Sequence, residues 1–148
     1  MAASKKTVLV TTDLSEESFR AFPAANELAR SLGGRIVLLY VLPTLDHHPT
    51  GAPFVSPVPL PTDAELKAQA LRDMEGLRSR FTVDDLRFEV RSGESVDETV
   101  CQVAAADKAD YIVVATHGRS GLSRMVMGSI AESILRRAHV PVLVVPLR

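Results

Sequence analysis

Short apolar, β-branched runs alternate along this chain with stretches of helical periodicity. Thr7–Thr12 (TVLVTT), Arg35–Leu42 (RIVLLYVL) and Tyr111–Ala115 (YIVVA) are apolar on both faces, which predicts strands covered on both sides. Leu86–Arg91 (LRFEVR) alternates apolar with charged residues, the period of a less buried strand at a sheet edge. Val140–Val145 reads as a last short strand between Pro141 and Pro146. Between these runs the period changes to that of helices. Phe19, Phe22, Ala25, Leu28 and Ala29 form a stripe that predicts a helix from an Asp13 or Ser15 cap to about Leu32, with a late start or a kink at Pro23. Thr62-Asp63 caps a second helix to about Arg80, with Leu66, Ala70, Met74 and Leu77 inward. A third opens at Gly93–Asp97 and runs through Asp107 on Val96, Val100 and Val103, and a fourth, Ser129–Ala138, carries Ile130, Ile134 and Leu135 inward.

Strands alternating with helices predict parallel pairing with helices on both faces, a doubly wound α/β domain. At 148 residues one domain is expected. The interruption is a proline-rich insert, Pro43–Pro61. It holds Pro43, Pro49, Pro53, Pro57, Pro59 and Pro61 of the nine prolines, and neither a helix nor a ladder forms across such spacing. Segments of this kind inside a domain serve as functional lids or loose linkers. Its adjacent His47 and His48, without a spaced third ligand, make a weak metal case.

Composition narrows the function classes. A net charge of −1 supplies no global field for nucleic acid or an anionic membrane. No apolar run reaches the ~18 residues of a membrane span. The start, MAASKKTVLV, lacks the apolar region and cleavage site of a secretory signal, so a cytoplasmic location is expected by default. The single cysteine, Cys101, excludes an internal disulfide, fits a reducing compartment and reads as a small core residue on a helix.

The local chemistry is concentrated after Tyr111. From there to Ala131 there is no Asp or Glu, while His117, Arg119 and Arg124 are present. A loop over 116–127 holding Gly118 and Gly121, with Gly128 at the mouth of the next helix, lets main-chain amides turn inward. The helix beginning at Gly128-Ser129 adds its free amides and the positive end of its dipole. Together these predict an anion site, for phosphates above all. The plain alternative is that the glycines only shape a strand-to-helix turn.

These residues also carry a resemblance to a known family. A strand ending in a small residue, then Asp-x-Ser, stands at Val8–Ser15; Ala115-x2-Gly118-x9-Gly128-Ser129 follows, then Pro141-Val142-Leu143-Val144-Val145. In these features, and over nearly the whole chain, the sequence resembles the universal stress protein family. One departure is Ala115, where the ATP-binding branch of that family has a glycine. The resemblance implies a five-stranded sheet in the order 3-2-1-4-5, with Asp13 facing the glycine loop across the crevice between the first and fourth strands. It implies an ATP site, with Thr11, Thr12, Asp13 and Val41 at the adenine and ribose end and Val114, Ala115, Gly118, Arg119, Gly128, Ser129 and Ile130 at ribose and phosphates. Mg²⁺ would bridge the phosphates. It further implies a homodimer through Val140–Val145 and an unnamed regulatory protein partner, with no nucleic acid and no membrane. Three functions are thereby open: an ATP-binding stress-response regulator, a nucleotide-independent dimeric adaptor favoured by the Ala115 methyl, and a weak ATPase or autophosphorylating protein. The last has least support, since there is no Gly-x4-Gly-Lys-(Ser/Thr) loop and no nucleophile beside a base.

Overall fold

A computed structural model describes residues 4–44, 59–117 and 127–146. Five parallel strands, β1 (Thr7–Thr12), β2 (Arg35–Pro43), β3 (Leu86–Gly93), β4 (Tyr111–Ala115) and β5 (Val142–Val145), form one sheet in the order β3-β2-β1-β4-β5. The helices are α1 (Glu16–Phe19), α2 (Phe22–Ser31), α3 (Asp63–Glu75), α4 (Val96–Ala106) and α5 (Ser129–Arg137).

The sheet is covered on both faces because its central strands are apolar on both. Val8, Val10, Ile36, Leu38, Val113 and Ala115 pack with Phe22, Ala25 and Ala29 of α2, Met74 of α3 and Phe81. On the other face Leu9, Val37, Leu39, Val41, Ile112 and Val114 pack with Val100 and Val103 of α4 and with Ala131 and Ile134 of α5. One-residue alternation along each strand therefore feeds two separate cores. β3 lies at one edge, as its alternating pattern predicts, and β5 at the other.

The helices depart from the periodicity in three places. The first helical stripe is divided: Ser15 caps α1 by accepting from the Ser18 amide, and α2 begins afresh with Pro23 in its first turn, where a missing N–H costs nothing. The second helix stops at Glu75, short of Arg80, and a 3-10 turn over Arg78–Arg80 swings Phe81 against Phe22, ring centroids 4.6 Å apart. Leu66, expected inward, is 40% exposed. In α5 the inward residues are Ala131 and Ile134; Ile130 and Leu135, also expected inward, are 48% and 46% exposed. Nine residues of helix cover only a narrow stripe, and Ile130 lines the crevice at the strand ends.

Among the described residues two non-glycine residues take positive φ. Lys108 (φ 51) closes α4 in the same way that Gly33 (φ 58) closes α2: Ala109 N–H bonds back to Ala104 and Gly34 N–H to Ala29, each at 2.8 Å. The other, Leu14 (φ 64), sits in the turn after β1.

The insert's residues 45–58, with His47 and His48, and the loop residues 118–126, with Gly118, Gly121, Arg119 and Arg124, lie outside the described residues. Among the described residues no helix is long and apolar enough to cross a membrane.

Candidate functional site

The β1–β4 ladder runs only from Val8↔Tyr111 to Val10↔Val113. Beyond it the chain leaves β1 toward α1 and α2 on one face and leaves β4 toward α5 on the other. The ends of the two strands, Thr11-Thr12 and Val114-Ala115, border a crevice at this reversal of strand order, where open α/β sheets hold ligands. Its volume is about 460 Å³, and it is lined by Thr11, Thr12, Asp13, Ser18, Tyr40, Val41, Pro43, Val96, Val114, Ala115, Thr116, His117, Gly128, Ser129, Ile130 and Ala131. Thus Thr11, Thr12, Asp13, Val41, Val114, Ala115, Gly128, Ser129 and Ile130 are brought together. Gly118 and Arg119 lie outside the described residues.

The wall on the β1 side is tied to itself. Thr12 Oγ1 accepts from the Leu14 amide at 3.0 Å and lies 2.8 Å from Ser18 Oγ. Asp13 Oδ1 accepts from the Ser15 amide at 3.0 Å and from the Ser15 hydroxyl. Ser15, not Asp13, is therefore the cap of α1, and Asp13 steadies it. Val41 lies one residue past the last β1–β2 pair, Thr12↔Tyr40, because β1 ends there while β2 continues along β3.

The wall on the β4 side is different. Gly128 donates its N–H to the Thr116 carbonyl at 2.6 Å, and a Cβ built on Gly128 would stand 2.7 Å from that same oxygen. Only glycine allows this approach, so Gly128 shapes the turn and its own amide is engaged there. The next three amides, of Ser129, Ile130 and Ala131, open α5 without a side-chain cap or an acceptor among the described residues. With the dipole they favour an anion at this point. The side chain of Ala115 belongs to the core beneath α2, at 6% exposure.

The model of the universal stress protein family matches residues 5–146. The chain belongs to that family. Among curated relatives, universal stress protein G of Escherichia coli O157:H7 is 33% identical over 147 residues, covering 95% of this chain and 98% of that protein. Universal stress protein MJ0531 of Methanocaldococcus jannaschii is 31% identical over 147 residues, covering 95% and 81%. Of solved structures, a universal stress protein in complex with cAMP aligns with TM-score 0.67 at 20% identity, over 99% of this chain and 100% of that one. The universal stress protein from Archaeoglobus fulgidus in complex with dAMP aligns with TM-score 0.61 at 18% identity, over 98% and 99%. The five-stranded parallel order 3-2-1-4-5 is the fold expected of a universal stress protein.

Behind the crevice, α5 of this universal stress protein is pinned to α4. Asp97 accepts from the hydroxyls of Ser133 and Ser95 and pairs with Arg137 Nε at 2.8 Å. The Ser133 hydroxyl, then that of Ser95, holds the Asp97 carboxyl below its ordinary range, and Arg137 adds to this. Cys101, one turn along α4, is half-buried; burial first, then Asp97, pushes its thiol up, away from the reactive thiolate.

Ser18, Tyr40, Pro43, Val96, Thr116, His117 and Ala131 also line the crevice, beyond the ligand-contact residues that the family resemblance implies. Ser18 was accessible to sequence reasoning in principle: a Ser three residues after a Ser cap returns to the turn. Val96 and Ala131 were not, because they read only as helix core. His117 stands beside the glycine motif, and the sequence marks it only as one cation of that stretch.

Proposed function

We propose that this universal stress protein binds an adenine nucleotide, ATP in the first instance, in the crevice between the ends of β1 and β4. The observation that carries the reading is the meeting, in one crevice of about 460 Å³, of Thr11-Thr12-Asp13 with the uncapped tip of α5. Two fold relatives hold cAMP and dAMP, ligands that share adenine, a ribose-type sugar and phosphate, which supports this ligand class. Base and sugar lie along Thr11–Asp13 and Val41, and phosphate lies at Ser129–Ala131, with Gly118 and Arg119 assigned to the phosphate end by their place in the motif. Helix-tip amides suit an anion and need no water to complete them. With ATP, Mg²⁺ takes its ligands mainly from phosphate oxygens and water. Among the described residues no group of three or more His, Cys, Asp or Glu is placed to hold a metal by itself.

Bound nucleotide sets the state of a homodimer that is read by a regulatory protein partner. The dimer forms along β5, a four-residue apolar strand that among the described residues pairs only with β4, with Leu143 40% exposed. An uncovered apolar edge invites a second strand. Sedimentation of the purified chain should give twice the monomer mass, and Leu143→Lys should return it to monomer.

The direct test is mass spectrometry of the nucleotide released from purified protein, followed by calorimetry with ATP and Mg²⁺. Adenine nucleotide in the sample, or saturable heat, is expected; neither up to millimolar ligand would sink the reading. Ala115 lines the crevice but packs with the core beneath α2, which supports a nucleotide-binding reading over a nucleotide-independent adaptor.

A further inference from the structure

Among the described residues one buried polar side-chain atom has no hydrogen-bond partner, Nε2 of His117. The residue is 4% exposed and lines the crevice. Its other ring nitrogen, Nδ1, lies 3.1 Å from Thr116 Oγ1. A buried ring nitrogen shut off from both water and protein is costly, and such atoms in native folds call for an explanation.

The neighbourhood supplies one. Thr116 accepts the Gly128 N–H at 2.6 Å, and a Cβ on Gly128 would be 3.7 Å from His117 Cα, so His117 is packed at the entrance of α5. The next three residues, Ser129, Ile130 and Ala131, line the same crevice and carry the first-turn amides. The residue that carries the unpartnered imidazole nitrogen and an uncapped helix tip thus line one cavity. When Nδ1 accepts from the Thr116 hydroxyl, Nε2 carries the proton and becomes a donor. Donors of both kinds fit a single acceptor-rich group, and phosphate is the group that offers several oxygens in one place.

We propose that His117 is the side chain that reads the phosphate end of the ligand: Nε2–H donates to a phosphate oxygen held at the tip of α5. The crevice therefore selects nucleotides over nucleosides. This rests on the nucleotide reading above and adds to it a specificity-determining residue.

The experiment compares AMP with adenosine by calorimetry on the full chain, for wild type, His117→Leu and His117→Gln. Leu removes the nitrogen at similar volume, and Gln restores a donor. The expected result is that His117→Leu weakens AMP roughly tenfold or more, the loss typical of a hydrogen bond to a charged group. Adenosine affinity stays within about twofold, and His117→Gln recovers most of the AMP affinity. Because the Leu variant could fail to fold, side-chain nitrogen NMR of the wild type gives a second reading: the Nε2 resonance should move with AMP and stay with adenosine. An unchanged AMP-to-adenosine ratio in folded His117→Leu, or an Nε2 resonance indifferent to AMP, overturns the role of His117 and leaves nucleotide binding standing. Failure of wild type to bind any adenine nucleotide removes both.

Discussion

The two walls of the crevice are built on opposite principles. On the β1 side the side chains of Thr12, Asp13, Ser15 and Ser18 are joined in one set: Thr12 to Leu14 and Ser18, Asp13 to Ser15, Ser15 to Ser18. On the β4 side Gly128 is engaged, but the amides after it find no acceptor among the described residues and His117 Nε2 has no partner. A self-satisfied wall keeps its shape with or without ligand. An unsatisfied one gains on binding what it lacks in isolation, since unpaired buried groups carry the larger penalty. Shape is thus expected to come from the first wall and affinity for charge from the second.

Substitutions can set the walls against each other. The largest effect is expected for Gly128→Val. Its Cβ would meet the Thr116 carbonyl at 2.7 Å, a backbone atom that cannot step aside. Overpacking of this kind costs roughly 2–3 kcal/mol, visible in urea melts, and calorimetry should find nucleotide binding lost. Retained affinity would show that the tip of α5 is not where charge is held.

Thr12→Val conserves shape and deletes the hydroxyl shared by the Leu14 amide and Ser18. About 2 kcal/mol of stability should go, while the ratio of AMP to adenosine affinity holds, because the loss falls on the self-satisfied wall. A changed ratio would mean that this wall too senses phosphate.

Asp97→Asn loosens α5 from behind and should cost about 1–1.5 kcal/mol at neutral pH. The sign with pH follows from the direction of the shift. The carboxyl is held low in the folded chain, so its contribution is full above the unfolded value of about 3.9 and disappears as pH falls through the lower folded one. Acid melts of wild type and variant should therefore converge below about pH 4, and a gap that stays constant in acid would exclude Asp97 as the cause.

Ala115→Gly should do least. Its methyl packs under α2, so the change removes a little core and stiffness, about 0.5–1 kcal/mol, with nucleotide affinity within about twofold. ATP binding that appears only in this variant would restore the adaptor reading.

Much of this was open to sequence reasoning. Val8–Val10, Val37–Leu39 and Ile112–Val114 are apolar on consecutive positions, and only a sheet covered on both faces uses such runs, so the doubly wound class followed from periodicity alone. The spacing of Gly118, Gly128 and Ser129 with Asp13 singled out the crevice by family likeness. Pro23 marked the break between α1 and α2. What periodicity could not reach was contact between distant segments. That the Gly128 amide is taken by Thr116, that the Ala115 methyl turns into the core, that Ile130 and Leu135 face outward, and that Nε2 of His117 is stranded all depend on atoms brought together from separate elements. A single sequence records which groups a residue carries, and local pattern tells which face it takes. Whether a donor or a methyl meets a partner is decided only when the sheet reverses its strand order and its loose ends close on one another.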